Sequence, residues 1–172
     1  VVTPIDPTSA GFLLAENRNM PMHVGGLQLF KKPEGAGRHY VREMFEEMRD
    51  VDEIAPLFLK HPYRSLRTGA QLVWKDDEQF DIEHHVRHSA LPKPGRIREL
   101  LDLASRLHST RLAWERPLWE AHVIEGLRDG RSHRFRHRDE PHVLRISTGE
   151  PRRRGDARAD AGQIAFERGL HG

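Results

Sequence analysis

Cysteine is missing from all 172 residues, which removes disulfides, thiolate nucleophiles and cysteine-based zinc sites together and suits a reducing cytoplasm. Long apolar runs are missing too. None approaches the ~20 residues that a membrane span needs, and the opening VVTPIDPTS has neither a basic start nor an apolar signal-type stretch. The expectation is a soluble or peripheral protein of the cytoplasm. Lysine disappears after residue 130: residues 131–172 hold 10 Arg against 6 acidic residues, whereas residues 1–130 hold 18 Lys+Arg against 20 acidic residues. The net charge of +2 therefore belongs to the tail.

The same boundary is visible in the apolar pattern. Beyond it runs RSHRFRHRDEPHVLRISTGEPRRRGDARADAGQIAFERGLHG, with no Trp, Tyr or Met. Such a segment has little apolar surface to offset an ordering cost of ~1–2 kcal/mol per residue. We therefore divide the chain into a folded portion, 1–130, and an Arg-rich tail, 131–172, expected to be weakly ordered.

Within the first portion, "SAGFLLAE" (9–16) predicts a short helix capped by Thr8 or Ser9, and "MHVGGLQLF" (22–30) a strand weakened at Gly25-Gly26. Val41, Met44, Phe45 and Met48 fall at i, i+3, i+4 and i+7 of an amphipathic helix over 38–54. Residues 70–77 and 80–91 read as strands about an acidic turn. A second long helix spans 96–112, with Ile97, Leu100, Leu101, Ala104 and Leu107 on one stripe. The strand 118–127 runs into Asp129-Gly130, a strong hairpin signal. The sum is an α+β domain.

Histidine is the abundant chemical residue, and "FDIEHHVRHSALP" (80–92) sets His84 beside His85. On a strand the two would point to opposite faces. His84, His85 and His88 then make a poor metal claw, with no carboxylate at a completing spacing, so no metal is expected.

The strings "PMHVGGLQLF" (21–30), "FDIEHHVRHSALPKPG" (80–95), "LLDLASRLHSTRL" (100–112), "RPLWEAHVIEGL" (116–127) and "RDGR" (128–131) occur in an order and spacing that resembles the N-terminal part of the bacterial wax ester synthase/acyl-CoA:diacylglycerol acyltransferases. The resemblance covers about residues 3–131. It implies the N-terminal half of a fold like chloramphenicol acetyltransferase and the condensation domains, in which two similar α+β halves enclose a tunnel. It also implies acyl-CoA as co-substrate, with no bound cofactor, and diacylglycerol or a long-chain alcohol as acceptor, so triacylglycerol or wax ester as product. Contact with a membrane or lipid-droplet surface belongs to the same implication, although Glu43, Glu46, Glu47, Asp50, Asp52 and Glu53 on the first long helix would repel anionic lipid. Half of such a fold would leave apolar faces uncovered, so self-association is expected.

Catalysis in the family rests on a His-His-x-x-x-Asp-Gly motif, whose second His serves as base. His84-His85 does not fit: after Val86, Arg87 and His88 the places of Asp and Gly hold Ser89 and Ala90. His85 matches instead the His of the family's "HVR" string, a structural position. The motif should follow "GLRDGR", at the end of an apolar strand. There "SHRFRHRDEPHVLR" (132–145) has no apolar face, and His133, His137 and His142 start no His-His pair. A buried central strand would desolvate each unpaired Arg at several kcal/mol. The expectation is a chain without catalytic residues, its tail read as the product of a reading-frame change, with a divergent true tail as the alternative. Pro117, Leu118 and Trp119 match the family's Pro-Leu-Trp, which suggests either packing beneath the sheet or a place at the substrate tunnel. "PRRRG" (151–155) raises the other reading, a basic-tailed module binding nucleic acid or membrane. Interspersed acids and only Phe135 and Phe166 to stack on bases argue against a specific nucleic-acid partner.

Overall fold

The computed structural model describes residues 2–30, 32–66 and 69–128, together with the backbone of a strand at 140–146. Two sheets organise the chain. The first has the order β1–β4–β3, all antiparallel, built from β1 (Val2–Pro4), β3 (Lys60–Ser65) and β4 (Gln71–Asp76). The second has the order β2–β7–β6–β5, from β2 (Gly26–Gln28), β5 (Val86–Ala90), β6 (Glu120–Leu127) and β7 (Glu140–Ile146). In it β5 and β6 are parallel and the other pairs antiparallel.

A parallel pair cannot be closed by a tight turn and needs a crossover, which α4 (Ile97–Ser109) provides. Leu100 of α4 is fully buried with Leu91, Ile124 and Leu127, and Leu103, Ala104 and Leu107 pack around them. The buried stripe is therefore Leu100, Leu103, Ala104 and Leu107. Ile97 and Leu101, expected inside, are half exposed, because the helix turns its 100/103/107 edge to the sheet.

Strand β6 is covered on both faces, as its nearly continuous buried run shows. Ile124 meets α4 on one side. On the other, Val123 pairs with His88 of β5, and the His88 ring lies 5.2 Å from that of Phe45. This places α2 (Tyr40–Arg49) over that face, with Val41 buried and Met44, Phe45 and Met48 partly so, as the heptad spacing predicts. An ion pair from Arg49 to Glu83 ties the end of α2 to the turn before β5.

Other expectations change. Helix α1 (Pro7–Ala15) is capped not by Thr8 or Ser9 but by Asp6, whose carboxylate accepts from the Thr8 and Ser9 amides at 3.0 and 3.2 Å. The strand expected over 80–91 opens as one helical turn, α3 (Ile82–His85), capped by Asp81 through the Glu83 amide, and only 86–90 is strand. His84 and His85 thus do not alternate across a sheet. The expected 22–30 strand shrinks to the short edge β2, as Gly25-Gly26 suggested. A 3-10 turn at Pro56–Leu59 and strands β1 and β3 carry no alternation that marked them.

The tail re-enters the sheet. Glu140–Ile146 lies between β2 and β6 as a central strand. The Asp129-Gly130 turn and the rest of 131–172 lie outside the described residues. Beside the boundary, Gly126 (φ 91°) bulges β6 between Ile124 and Leu127. The loop before α4 docks onto that bulge: the Leu91 amide donates to the Glu125 carbonyl at 2.8 Å, and the Arg128 amide to Gly95 at 2.6 Å.

Candidate functional site

His85 is the most enclosed titratable residue near the quoted pair, about 1% exposed. Its Nδ1–H donates to the Trp119 carbonyl at 2.7 Å. Its ring stacks on Trp119 at 4.5 Å and on Phe80 at 5.0 Å, the latter nearly parallel, and meets His84 edge-on at 5.3 Å. Burial lowers the His85 pKa below its ordinary 6.5, partly opposed by the Trp119 carbonyl. The ring is a packing piece in an aromatic stack.

Trp119 is held at both ends, since its Nε1–H donates to the Phe58 carbonyl at 2.9 Å while the Phe58 ring stands edge-on at 5.7 Å. Its remaining edge, with Leu118, faces a pocket of about 150 Å³ that also meets Phe12 of α1, Met22, Phe58 and Trp74. Pro117 is buried behind it. Trp119 therefore both packs the sheet and lines a cavity. His85 does not line it.

Polar groups at the pocket are few. Glu16, its side chain about 8% exposed, is satisfied by Arg111 at 3.2 Å, the Trp114 indole N–H at 3.1 Å and the Met22 amide at 3.3 Å. Lys60 reaches Asp76 at 3.8 Å and Thr3 at 3.4 Å. His23 lines the pocket with both ring nitrogens buried against the protein. Burial, with His108 beside it, lowers its pKa.

A second polar cluster lies at the start of β6. His122, buried, hydrogen-bonds through Nε2 to Glu120 at 3.0 Å, and Arg87 sits 3.9 Å from the same carboxylate. Burial alone would raise the Glu120 pKa, yet the hydrogen bond from His122 and the charge of Arg87 leave it lowered. His84, its pKa lowered by burial and by Arg116 and Arg87, completes the group. Among the described residues no helix is long and apolar enough to cross a membrane.

Sequence reasoning picked out Leu118 and Trp119 but not Glu16, His23, Phe58 and Trp74. One signal was available: His23 stands in an apolar stretch beside a glycine pair, where a solvated histidine has no reason to be.

The cavity is mostly apolar and meets α1, β3 and β4, with Leu118 and Trp119 at the approach to β6. The wax ester synthase/diacylglycerol acyltransferase catalytic domain matches residues 5–133, and this chain belongs to that family. It is 56% identical over 127 residues to a putative diacylglycerol O-acyltransferase of Mycobacterium tuberculosis, covering 74% of this chain and 28% of the relative. It is 42% identical over 128 residues to the O-acyltransferase WSD of Acinetobacter baylyi, covering 74% and 27%. The wax ester synthase/diacylglycerol acyltransferase of Marinobacter aquaeolei VT8 superposes with a TM-score of 0.71 at 44% identity, covering 84% of this chain and 33% of that one. The chain thus carries the N-terminal portion of a chloramphenicol-acetyltransferase-like fold and spans less than a third of the length of these curated relatives.

Proposed function

We propose that this chain is the lipid-receiving N-terminal portion of an acyltransferase that moves an acyl chain from coenzyme A to the hydroxyl of diacylglycerol or a long-chain alcohol, and that it performs no transfer by itself. The observation that supports this is the state of the His-His pair. Its second member is sealed in an aromatic stack away from the pocket, and the sequence holds no His-His-x-x-x-Asp-Gly. In this reading Pro117 sets the entry of the strand while Leu118 and Trp119 contact the hydrocarbon. Phe12, Val24, Leu27 and Leu29 are exposed around α1 and β2, surface that a further portion of a family member, a lipid surface or a second copy would cover.

The test incubates the purified chain with labelled acyl-CoA and either diacylglycerol or hexadecanol, beside size-exclusion chromatography. Product is expected at the protein-free rate, since loss of a positioned base alone costs about 10²–10⁴ in rate, and the eluted species is expected to be self-associated. Clear ester formation by a monodisperse sample overturns the reading.

A further inference from the structure

One carboxylate holds three walls of the pocket together. Glu16 ends α1, and its side chain is about 8% exposed. Its Oε2 accepts from the Arg111 guanidinium at 3.2 Å and the Trp114 indole N–H at 3.1 Å, while its Oε1 accepts from the Met22 amide at 3.3 Å. All three segments line the pocket, through Phe12 and Leu13 of α1, through Met22 and Val24, and through Leu112. The segment that receives Glu16 is itself fixed, since His61 of β3 bonds through Nδ1 to the Trp114 carbonyl at 3.2 Å.

Between its ends α1 is loosely seated. Ser9 is buried, whereas Phe12 and Leu14 are 39% and 60% exposed, and a Cβ at Gly11 would meet nothing within 4 Å. The N-terminal end is anchored in the first sheet: Ile5 is buried, its amide donates to the Leu72 carbonyl at 3.3 Å, and Asp6 caps the helix. An apolar helix fixed at one end by main-chain pairing and closed at the other by a partly exposed ion pair has the build of a lid, because such a pair is the weaker tie in water.

We propose that α1 is a lid on this pocket, hinged at Asp6 and closed by Glu16 on Arg111 and Trp114, a device that rests on the lipid-receiving reading above. When the carboxylate is released, Phe12 and Leu13 leave the pocket wall with the helix and an apolar molecule passes. One carboxylate carries the bonds to both neighbouring segments, so opening is a single step. Water then takes over the freed donors, so none is left buried and unpaired.

The test follows fluorobenzene, an apolar probe of benzene size, by fluorine exchange NMR on the full chain, which reads affinity, entry rate and residence time together. Wild type is expected to bind it in contact with the indoles of Trp74 and Trp119, which line the pocket. Glu16→Gln, which accepts on one oxygen only, and Arg111→Ala should speed entry and exit alike by about three- to tenfold, the contribution of one charge-assisted bond at a partly exposed site. Affinity should hold, because the closed state still predominates. The chain has no cysteine of its own, so a Glu16→Cys/Arg111→Cys variant can be bridged selectively with a bis-maleimide, and the bridge should slow both rates relative to the unbridged variant. Arg111, 39% exposed at its side chain, carries the test where Glu16→Gln does not fold. Rates that move in none of these variants overturn the lid and leave the pocket standing. Faster exit with unchanged entry, a plain loss of affinity, also overturns it and makes Glu16 a brace of the wall. Failure of fluorobenzene to bind beside the two indoles overturns the pocket reading, and the lid with it.

Discussion

His85 donates its Nδ1–H to the carbonyl of Trp119 over 2.7 Å and lays its ring on the indole of the same residue. One histidine thereby fixes both the main chain and the side chain of the residue that walls the pocket. His85→Ala should cost about 2–4 kcal/mol, combining a lost aromatic-sized body with an unmade bond to a buried carbonyl. His84→Ala, at a partly exposed ring, should stay within about 0.5 kcal/mol. Urea unfolding midpoints measure the contrast. Neither change should alter any thioester hydrolysis by the purified chain, and loss of a robust turnover in either would make that residue catalytic.

Acid should weaken the fold in two stages. His23, His84 and His85 all have pKa values lowered from the ordinary 6.5, so the unfolded chain takes up protons before the folded one does. Their contribution is complete above pH 6.5 and is lost as pH falls below it. Glu120, lowered from 4.5, adds a loss below pH 4.5 as its carboxylate protonates and the bonds to His122 and Arg87 fail. Unfolding free energies measured at pH 8, 7, 6 and 5 should be flat at the alkaline end and decline from about pH 6.5. His85→Phe should flatten part of that decline.

The face that α4 turns to the sheet can be read by truncation. Leu100→Ala empties a fully buried site and should cost about 2–5 kcal/mol. Leu101→Ala, half exposed, should cost less than about 1 kcal/mol. Equal losses at the two positions would mean that the helix is rotated from the orientation described.

Gly95 and Gly35 both have positive φ, 71° and 80°, but their surroundings differ. A Cβ at Gly95 would lie on the Gly126 carbonyl oxygen, whereas at Gly35 nothing stands within 4 Å. Gly35→Ala should cost about 1 kcal/mol from backbone strain alone. Gly95→Ala should cost several times that, because the loop must lift off the β6 bulge and give up the Arg128 and Leu91 amide bonds. Thermal unfolding of the two variants separates strain from collision.

The long helices were legible because their apolar spacing is set by a single flanking sheet, and β4 and β6 because their own apolar runs, Leu72-Val73-Trp74 and Val123-Ile124, mark them. The 80–91 stretch misled for a specific reason. Asp81 caps a single helical turn before the strand begins, and a four-residue turn is too short to show a period of its own. Strands β1 and β3 escaped because "VTP" and "KHPYRS" alternate in nothing; pairing with β4 makes them strands. Of the pocket, the Pro-Leu-Trp wall was visible as a motif. Glu16 and His23 were not, since their importance lies in contacts to Arg111, Trp114 and His108, some 95, 98 and 85 positions further along the chain.

Strand β7 lies between β2 and β6, antiparallel to both. With β5 on its other side, β6 is paired along both edges, so the strand that carries Ile124 offers no open row of amides and carbonyls to a second molecule, and the exposed edges of this sheet are β2 and β5.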